Sequence, residues 1–372
     1  MDETSLEFPT RRTSRCPHAP RPISRLYTTT CATLMLFALT TGVASAQAAE
    51  RREVPVSWEL LWQLPPSYDS PVLAPALLIG DGAGGVVTFD YGDGALKRIT
   101  SEGLDWVVGR EGQGPAEFQQ VMGISGAGEE ICVLDPGNQR LTRVAVDGGG
   151  TTEVLLPEVT RAIRLPDGTG VGLNMVAGPL LKVFDPEGNV TAELSPEGFP
   201  DDVSMMVREG WITGGTRTPN FLVGFLYAGH LVHGVPAESG VDVRLVPTIE
   251  PWSFPELVSW RHPSGATITG VDPESPEGAR WVDHDAMFFY VAYAGTTRTD
   301  ARLVDLYLTE DATYWGSLIL PEDVAYGAIV DEGVMAGVIF EPIPHIKVWR
   351  FSIAGAPASA PPTKSASPSS SR

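Results

Sequence analysis

Two carboxylates flank an imidazole in Trp281-Val282-Asp283-His284-Asp285, directly before the apolar run Met287 to Val291. Oxygen donors so placed are what a divalent cation takes, provided the backbone turns them toward one point. If the segment begins an inner strand, Asp283 and Asp285 share one face and point into an axial channel. The plainer reading, a polar loop ahead of a strand, is the one the residues favour. His230 and His233 form an H-x-x-H spacing without the Glu of a zinc-protease helix. On a strand, side chains three residues apart lie on opposite faces, so these rings diverge. The G-x-S-x-G turn of a serine hydrolase is absent, and Ser125 within Gly123 to Gly128 reads as the start of a turn. The glycine-rich Gly80 to Gly85 precedes a strand, so it lacks the helix N-terminus that a phosphate needs. Trp211, Trp252, Trp260, Trp281 and Trp315 could line a ligand mouth, although packing is the default role for each. No catalytic or cofactor-binding residue is assigned on these grounds, and Asp283, His284 and Asp285 are the one metal candidate.

Such side chains need a scaffold, and the pattern between them is β throughout. No apolar repeat of 3.6 residues is evident. Short apolar runs recur instead: Gly85 to Phe89, Ile131 to Leu134, Leu180 to Phe184, Met287 to Ala292, Leu303 to Leu308 and Trp315 to Leu320. Asp-Gly, Asp-Pro-Gly and Pro-Asp-Gly turns separate them. Many of these runs are continuously apolar, which means strands covered on both faces. Sheets packed face to face around an axis meet that condition better than a two-layer sandwich does.

The runs also repeat. Asp90 to Ile99 aligns with Asp135 to Val144 at an offset of one blade-sized period. A looser copy spans Val171 to Phe184 and closes on the turn Asp185 to Gly188. Fainter copies run near Glu209 to Val246, Asp285 to Leu320 and Tyr326 to Ile353, which makes six units. Glu250 to Arg280, with five prolines, fits the period poorly and reads as an inserted loop or a distorted blade.

Gly109-Arg110-Glu111-Gly112-Gln113-Gly114-Pro115-Ala116-Glu117-Phe118, followed by Val133 to Leu141 with its Asp135-Pro136-Gly137-Asn138-Gln139-Arg140, resembles an NHL repeat. It is especially similar to those of six-bladed propellers exported by many bacteria. The resemblance implies an all-β, six-bladed β-propeller of four-stranded antiparallel blades. It is specific over Gly109 to Gly148 and weak over the last three units, which keep no motif residue. Physically, Gly112 and Gly114 would permit positive φ at a tight crossing, and Pro115 would stiffen it. Phe118 would plug the gap between sheets. Asp135 would accept turn amides beside Gly137, Asn138 would tolerate the left-handed conformation, and Arg140 would pair with a carboxylate. All of these roles are structural. Val56 to Leu64 precedes the first unit and His345 to Ile353 ends the last, so the two should share a blade and close the ring.

Both ends read as something other than fold. Residues 1–46 carry Arg11, Arg12, Arg15, Arg21 and Arg25, an apolar stretch from Cys31 to Val43, and Ala44-Ser45-Ala46. That is a signal peptide with cleavage expected after Ala46, giving a secreted or periplasmic protein. The propeller is expected over 54–353. Residues 354–372, rich in Ala, Pro and Ser, form an expected disordered tail. Of three cysteines, Cys132 alone remains after cleavage and reads as a buried hydrophobe. A net charge of −20 disfavours nucleic acid and anionic membranes as partners, and no second long apolar run offers insertion into a membrane. The favoured function is non-catalytic recognition of a small molecule, peptide or protein across one propeller face. The alternatives are a lactonase- or lyase-type enzyme, for which the resemblance implies axial calcium or zinc, and a scaffold in an envelope assembly.

Overall fold

The computed structural model describes residues 50–356, except 175, 177, 201–202, 239, 263, 273 and 296–301 and the side chains of 127, 294 and 295. The expected signal peptide and all but the first three residues of the expected tail lie outside the described residues. Every regular element described is a strand. The first strand, β1 (Val56–Gln63), is set aside for the last sheet. Blade 1 is β2 (Pro75–Gly80), β3 (Val86–Asp90), β4 (Ala95–Thr100) and β5 (Gly103–Val108). Blade 2 follows as β6 (Gly123–Ala127), β7 (Glu130–Asp135), β8 (Arg140–Ala145) and β9 (Thr151–Leu155). Blade 3 is β10 (Val159–Arg164), β11 (Gly170–Asn174), β12 (Leu181–Phe184) and β13 (Val190–Leu194). Blade 4 is β14 (Gly210–Gly214), β15 (Phe221–Phe225), β16 (His230–Ala237) and β17 (Gly240–Pro247).

A separate two-stranded hairpin, β18 (Leu257–Arg261) and β19 (Thr267–Val271), comes next. Of the two readings of Glu250 to Arg280, an inserted loop or a distorted blade, the insertion holds: it carries this hairpin outside the six blades, and the last residues of the stretch already belong to blade 5. Blade 5 is β20 (Glu277–His284), β21 (Phe288–Gly295), β22 (Leu303–Leu308) and β23 (Tyr314–Ile319). Blade 6 is β24 (Tyr326–Asp331), β25 (Val334–Ile339) and β26 (His345–Ile353), completed by β1. The fold is a six-bladed β-propeller. Its inner strands touch in a closed cycle, β2 to β6, β10, β14, β20, β24 and back to β2.

The doubly apolar strands explain the packing. Buried side chains form six clusters among the described residues, one at each blade interface. On β7, Ile131 and Val133 face blade 1 while Cys132 and Leu134 face blade 3. A period of two thus feeds two interfaces from one strand. Cys132 is a buried free thiol, and burial pushes it up to about 11, far from its reactive range. Short residues let the inner strands approach: a Cβ on Gly80 would lie 2.4 Å from the Val330 Cα across the junction of blades 1 and 6.

Closure uses both chain ends. β1 runs antiparallel to β26, from Val56 opposite Ile353 to Gln63 opposite Lys347. The Trp58 indole donates to the Ile319 carbonyl at 3.0 Å and packs on Phe351. Just upstream, Val54 N donates to Ser317 O, and Ser317 N donates to Arg52 O, both at 2.8 Å. Arg51 reaches Asp305 through two bonds of 3.2 and 3.1 Å and lies over the Tyr293 ring. The segment before β1 therefore ties blade 5 to blade 6.

One buried imidazole, His233, and one half-buried one, His230, are expected to make the fold acid-sensitive. His233 packs on Phe289 with Nε2 3.2 Å from the Thr309 carbonyl, and His230 stacks on Phe254. The two rings face different neighbours, as opposite faces of β16 require. Burial holds both below the usual value of 6.5. Unfolding restores the ordinary value, so the unfolded chain binds more protons and stability is lost as pH falls below about 6.5. A lower melting temperature at pH 5.5 than at pH 7.5, with a shallower drop in His233→Gln, is the expected result.

Candidate functional site

The six inner strands enclose a cavity of about 290 Å3 on the axis. Its walls are apolar in the middle, where Ile79, Ile124, Ile163 and Ile212 contribute, and polar at both ends. Volume and composition match a small-molecule site at the lower end of the usual range.

Near the start of the inner strands stands Arg161 on β10. A bulge between Val159 and Arg161 interrupts its pairing with β11 and re-aims the side chain. The guanidinium lies 3.8 Å from the centre of the Trp211 ring, and one N–H donates to the Met122 carbonyl. Trp211 in turn meets Tyr326 edge-on at 6.0 Å. Blades 3, 4 and 6 are thereby joined across the axis. Arg161 is 8% exposed and, among the described residues, has no carboxylate within ion-pair distance. Burial draws it down to about 10, opposed by the fields of Glu209, Tyr91 and Tyr326, and it keeps its charge at neutral pH.

At the other end lie Asp283 and His284. The segment neither begins an inner strand nor forms the favoured polar loop ahead of one: it ends the inner strand β20 at His284, and Asp285 lies in the turn to β21. The Asp285 carboxylate accepts Met287 N and Phe288 N at 2.7 Å and the Tyr290 hydroxyl at 2.6 Å, so it closes a hairpin and does not line the cavity. Asp283 and His284 do line it. Asp283 accepts Ile329 N at 2.6 Å, His284 N at 2.8 Å and the Thr213 hydroxyl at 3.2 Å. The His284 ring sits between two threonines, Nδ1 2.8 Å from Thr213 Oγ1 and Nε2 3.0 Å from Thr216 Oγ1. Thr213 has one proton, and giving it to Asp283 leaves Nδ1–H as donor to Thr213. Nε2 then accepts from Thr216. Arg217 spans this mouth from blade 4, donating to the carbonyls of His284 (3.4 Å), Ile329 (3.2 Å) and Val330 (2.7 Å).

Calcium or zinc would need three or more free donors converging. Among the described residues no group of three His, Cys, Asp or Glu side chains does so. The Asp283 oxygens and both His284 nitrogens already have partners. The donor set does not fit either ion.

The repeat-motif residues cluster elsewhere, at the crossing between blades 1 and 2. Asp135 accepts Gln119 N and Gln120 N at 2.9 and 2.8 Å, and Asn138 Nδ2 donates to Asp135 and to the Gly112 carbonyl. Arg140 donates to the Gly114 carbonyl at 2.8 Å and pairs with Glu153 at 3.1 Å. Phe118 is buried against Phe89. Pro115 sits in the turn closed by Glu117 N to Gly114 O. Gly137 lies against the chain at Gln119 and Gln120, where a Cβ would meet Gln120 Cβ at 2.9 Å. Two details differ from expectation. Gly112 has φ of 154°, but Gly114 does not take positive φ, and a Cβ there would meet only the Glu117 carboxylate, at 2.9 Å. The left-handed residue of the hairpin is Gln139, at 53°, and Asn138 instead spends its amide on the crossing.

Sequence reasoning missed Arg161, Thr213, Thr216 and Arg217. One signal was present: Val159-Thr160-Arg161-Ala162-Ile163 puts a cation inside a run destined for burial. Trp211 and Trp281 do border the cavity, whereas Trp315 packs on Phe288, Trp252 packs on Tyr293, and Trp260 sits on the inserted hairpin.

No protein-family model matches the chain, and no curated protein matches it in sequence. Its fold is similar to that of an exported protein from Bacteroides fragilis, at 12% identity and a TM-score of 0.52, over 80% of this chain and 95% of that one. A member of the DUF4221 family from Bacteroides vulgatus is similar at 10% identity and a TM-score of 0.50, covering 82% of this chain and 100% of that one. These likenesses show the propeller fold.

Proposed function

We propose that the chain is an exported recognition module that holds a small molecule in its axial cavity. The supporting observation is Arg161: a buried cation beside a cavity, stacked on Trp211, with no carboxylate partner among the described residues. A buried charge is costly unless something pairs with it, and a ligand would supply the missing partner. Export is supported by the basic and apolar residues ahead of Ala46 and by the likeness to an exported protein. Among the described residues, no helix is long and apolar enough to cross a membrane. The cavity's size favours a small molecule over a peptide or protein. The NHL-like motif contributes the architecture, holding blades 1 and 2 together away from the axis.

Gly126 offers a direct test. It borders the cavity, and a Cβ there would meet Thr216 Cγ2 at 3.5 Å, an ordinary contact. Gly126→Leu should therefore fill the mouth without displacing backbone. A thermal-shift screen with anionic, neutral and cationic fragments is expected to find stabilising compounds that lose their effect on Gly126→Leu. Equal stabilisation of both proteins, or none of either, would refute an axial site.

A further inference from the structure

We propose that the axial cavity selects a small monoanionic hydroxycarboxylate, its carboxylate gripped by Arg161 and its hydroxyl donating to Thr216. This deepens the axial-binding reading and rests on it.

Arg161 differs from the paired cations of the molecule. Lys97, Arg98, Arg140, Arg164, Lys182 and Lys347 all sit on carboxylates. Arg161 spends one N–H on the Met122 carbonyl and has no other acceptor among the described residues. A guanidinium with a free edge matches the two oxygens of a carboxylate in a fork. Charge then limits the ligand. Arg217 is committed to three carbonyls, and Asp283 borders the same cavity. One guanidinium balances one negative charge; a dianion would leave the second uncompensated near Asp283.

The far end sets the second group. Thr213 lies two residues beyond Trp211 on β14, about 7 Å along the strand. With its proton given to His284 Nε2, the Thr216 hydroxyl keeps lone pairs free to accept. Thr216 is exposed to the mouth. A ligand O–H fits there as the donor to Thr216. Between the two ends the isoleucine walls take a short alkyl chain.

Titration calorimetry on the mature full-length protein tests this with 3-hydroxybutanoate, 5-hydroxypentanoate and 6-hydroxyhexanoate. Each is compared with its diol and with the carboxylate lacking the hydroxyl. One acid is expected to bind about tenfold tighter than its diol. Arg161→Met should bring that acid down to the diol's affinity and leave the diol unchanged. Arg161→Lys, which keeps the charge without the fork, should retain part of the preference. Thr216→Val should weaken the hydroxy acid severalfold and spare the plain carboxylate. If acid and diol bind equally, and both are lost in Gly126→Leu, the anion assignment falls and the axial site stands. Absence of binding by every probe to about 10 mM overturns the assignment, and the fragment screen separately decides the axial site.

Discussion

Asp90→Ala is expected to lower the unfolding free energy by about 3–5 kcal/mol, the cost of orphaning one member of a buried ion pair. Asp90 is fully buried at the end of β3. It accepts Leu73 N at 2.7 Å, Ala74 N at 2.8 Å and Gly92 N at 2.9 Å, and it pairs with Lys97 at 2.8 Å. Alanine would leave those amides without their acceptor and Lys97, 4% exposed, with the half-exposed Asp93 and the Pro71 carbonyl. Those remaining partners place the effect toward the lower end of the range. Burial alone would raise the Asp90 carboxyl, but Lys97 and the amides overcome it and hold the group below its ordinary value. For an acid so depressed, the unfolded chain takes up a proton first. Its stabilisation is complete above about pH 4 and is lost as pH falls through the lower folded value. Urea unfolding at pH 7 and pH 3 should show the gap between wild type and variant narrowing at the acid end. A constant gap would mean that the carboxylate's charge contributes nothing.

The same residue shows why the repeat was legible. Asp90 and Asp135 occupy the same place in successive blades, each catching two amides of the preceding crossing. A polar side chain with several backbone partners cannot drift without orphaning them, so the motif survives as a readable pattern. Apolar interfaces impose no such identity. Blade 5 keeps only its alternation, and its inner strand, Glu277 to His284, carries charged residues that hid it from a search for apolar runs. Reading the blade from Asp285 lost one strand and turned the inserted hairpin into an apparent irregularity. The cavity was harder still. Arg161, Trp211, His284 and Tyr326 come from four blades and meet only because the ring closes. Asp283 and His284 were visible as a cluster, but their partners Thr213 and Thr216 lie on β14 of blade 4 and in the loop from β14 to β15. No local spacing encodes a contact made across an axis.

Removing residues 50–63 should cost more than any point substitution, because it opens the ring. Blade 6 would keep three strands, and β26 would lose its antiparallel partner along Val56 to Gln63. Trp58 and Val54 would leave the interface of blades 5 and 6, uncovering Phe351 and the buried Leu318. Asp305, fully buried, would lose Arg51 and retain only the Ser317 hydroxyl. Each fully buried aliphatic side chain uncovered costs roughly 1.5–3 kcal/mol, which compares with a whole domain's stability of about 5–15 kcal/mol. The backbone edge exposed on β26 is also a template for another chain. A truncated protein beginning at Leu64 is therefore expected to elute as aggregate or oligomer on size exclusion, while the chain beginning at Gln47 elutes as one sharp species. Adding a peptide of residues 50–63 in excess should restore part of the monomer, since the missing strand pairs through backbone bonds that need no covalent link. A truncated chain that stays monomeric, with unchanged melting temperature, would show that the inner strands alone hold the ring.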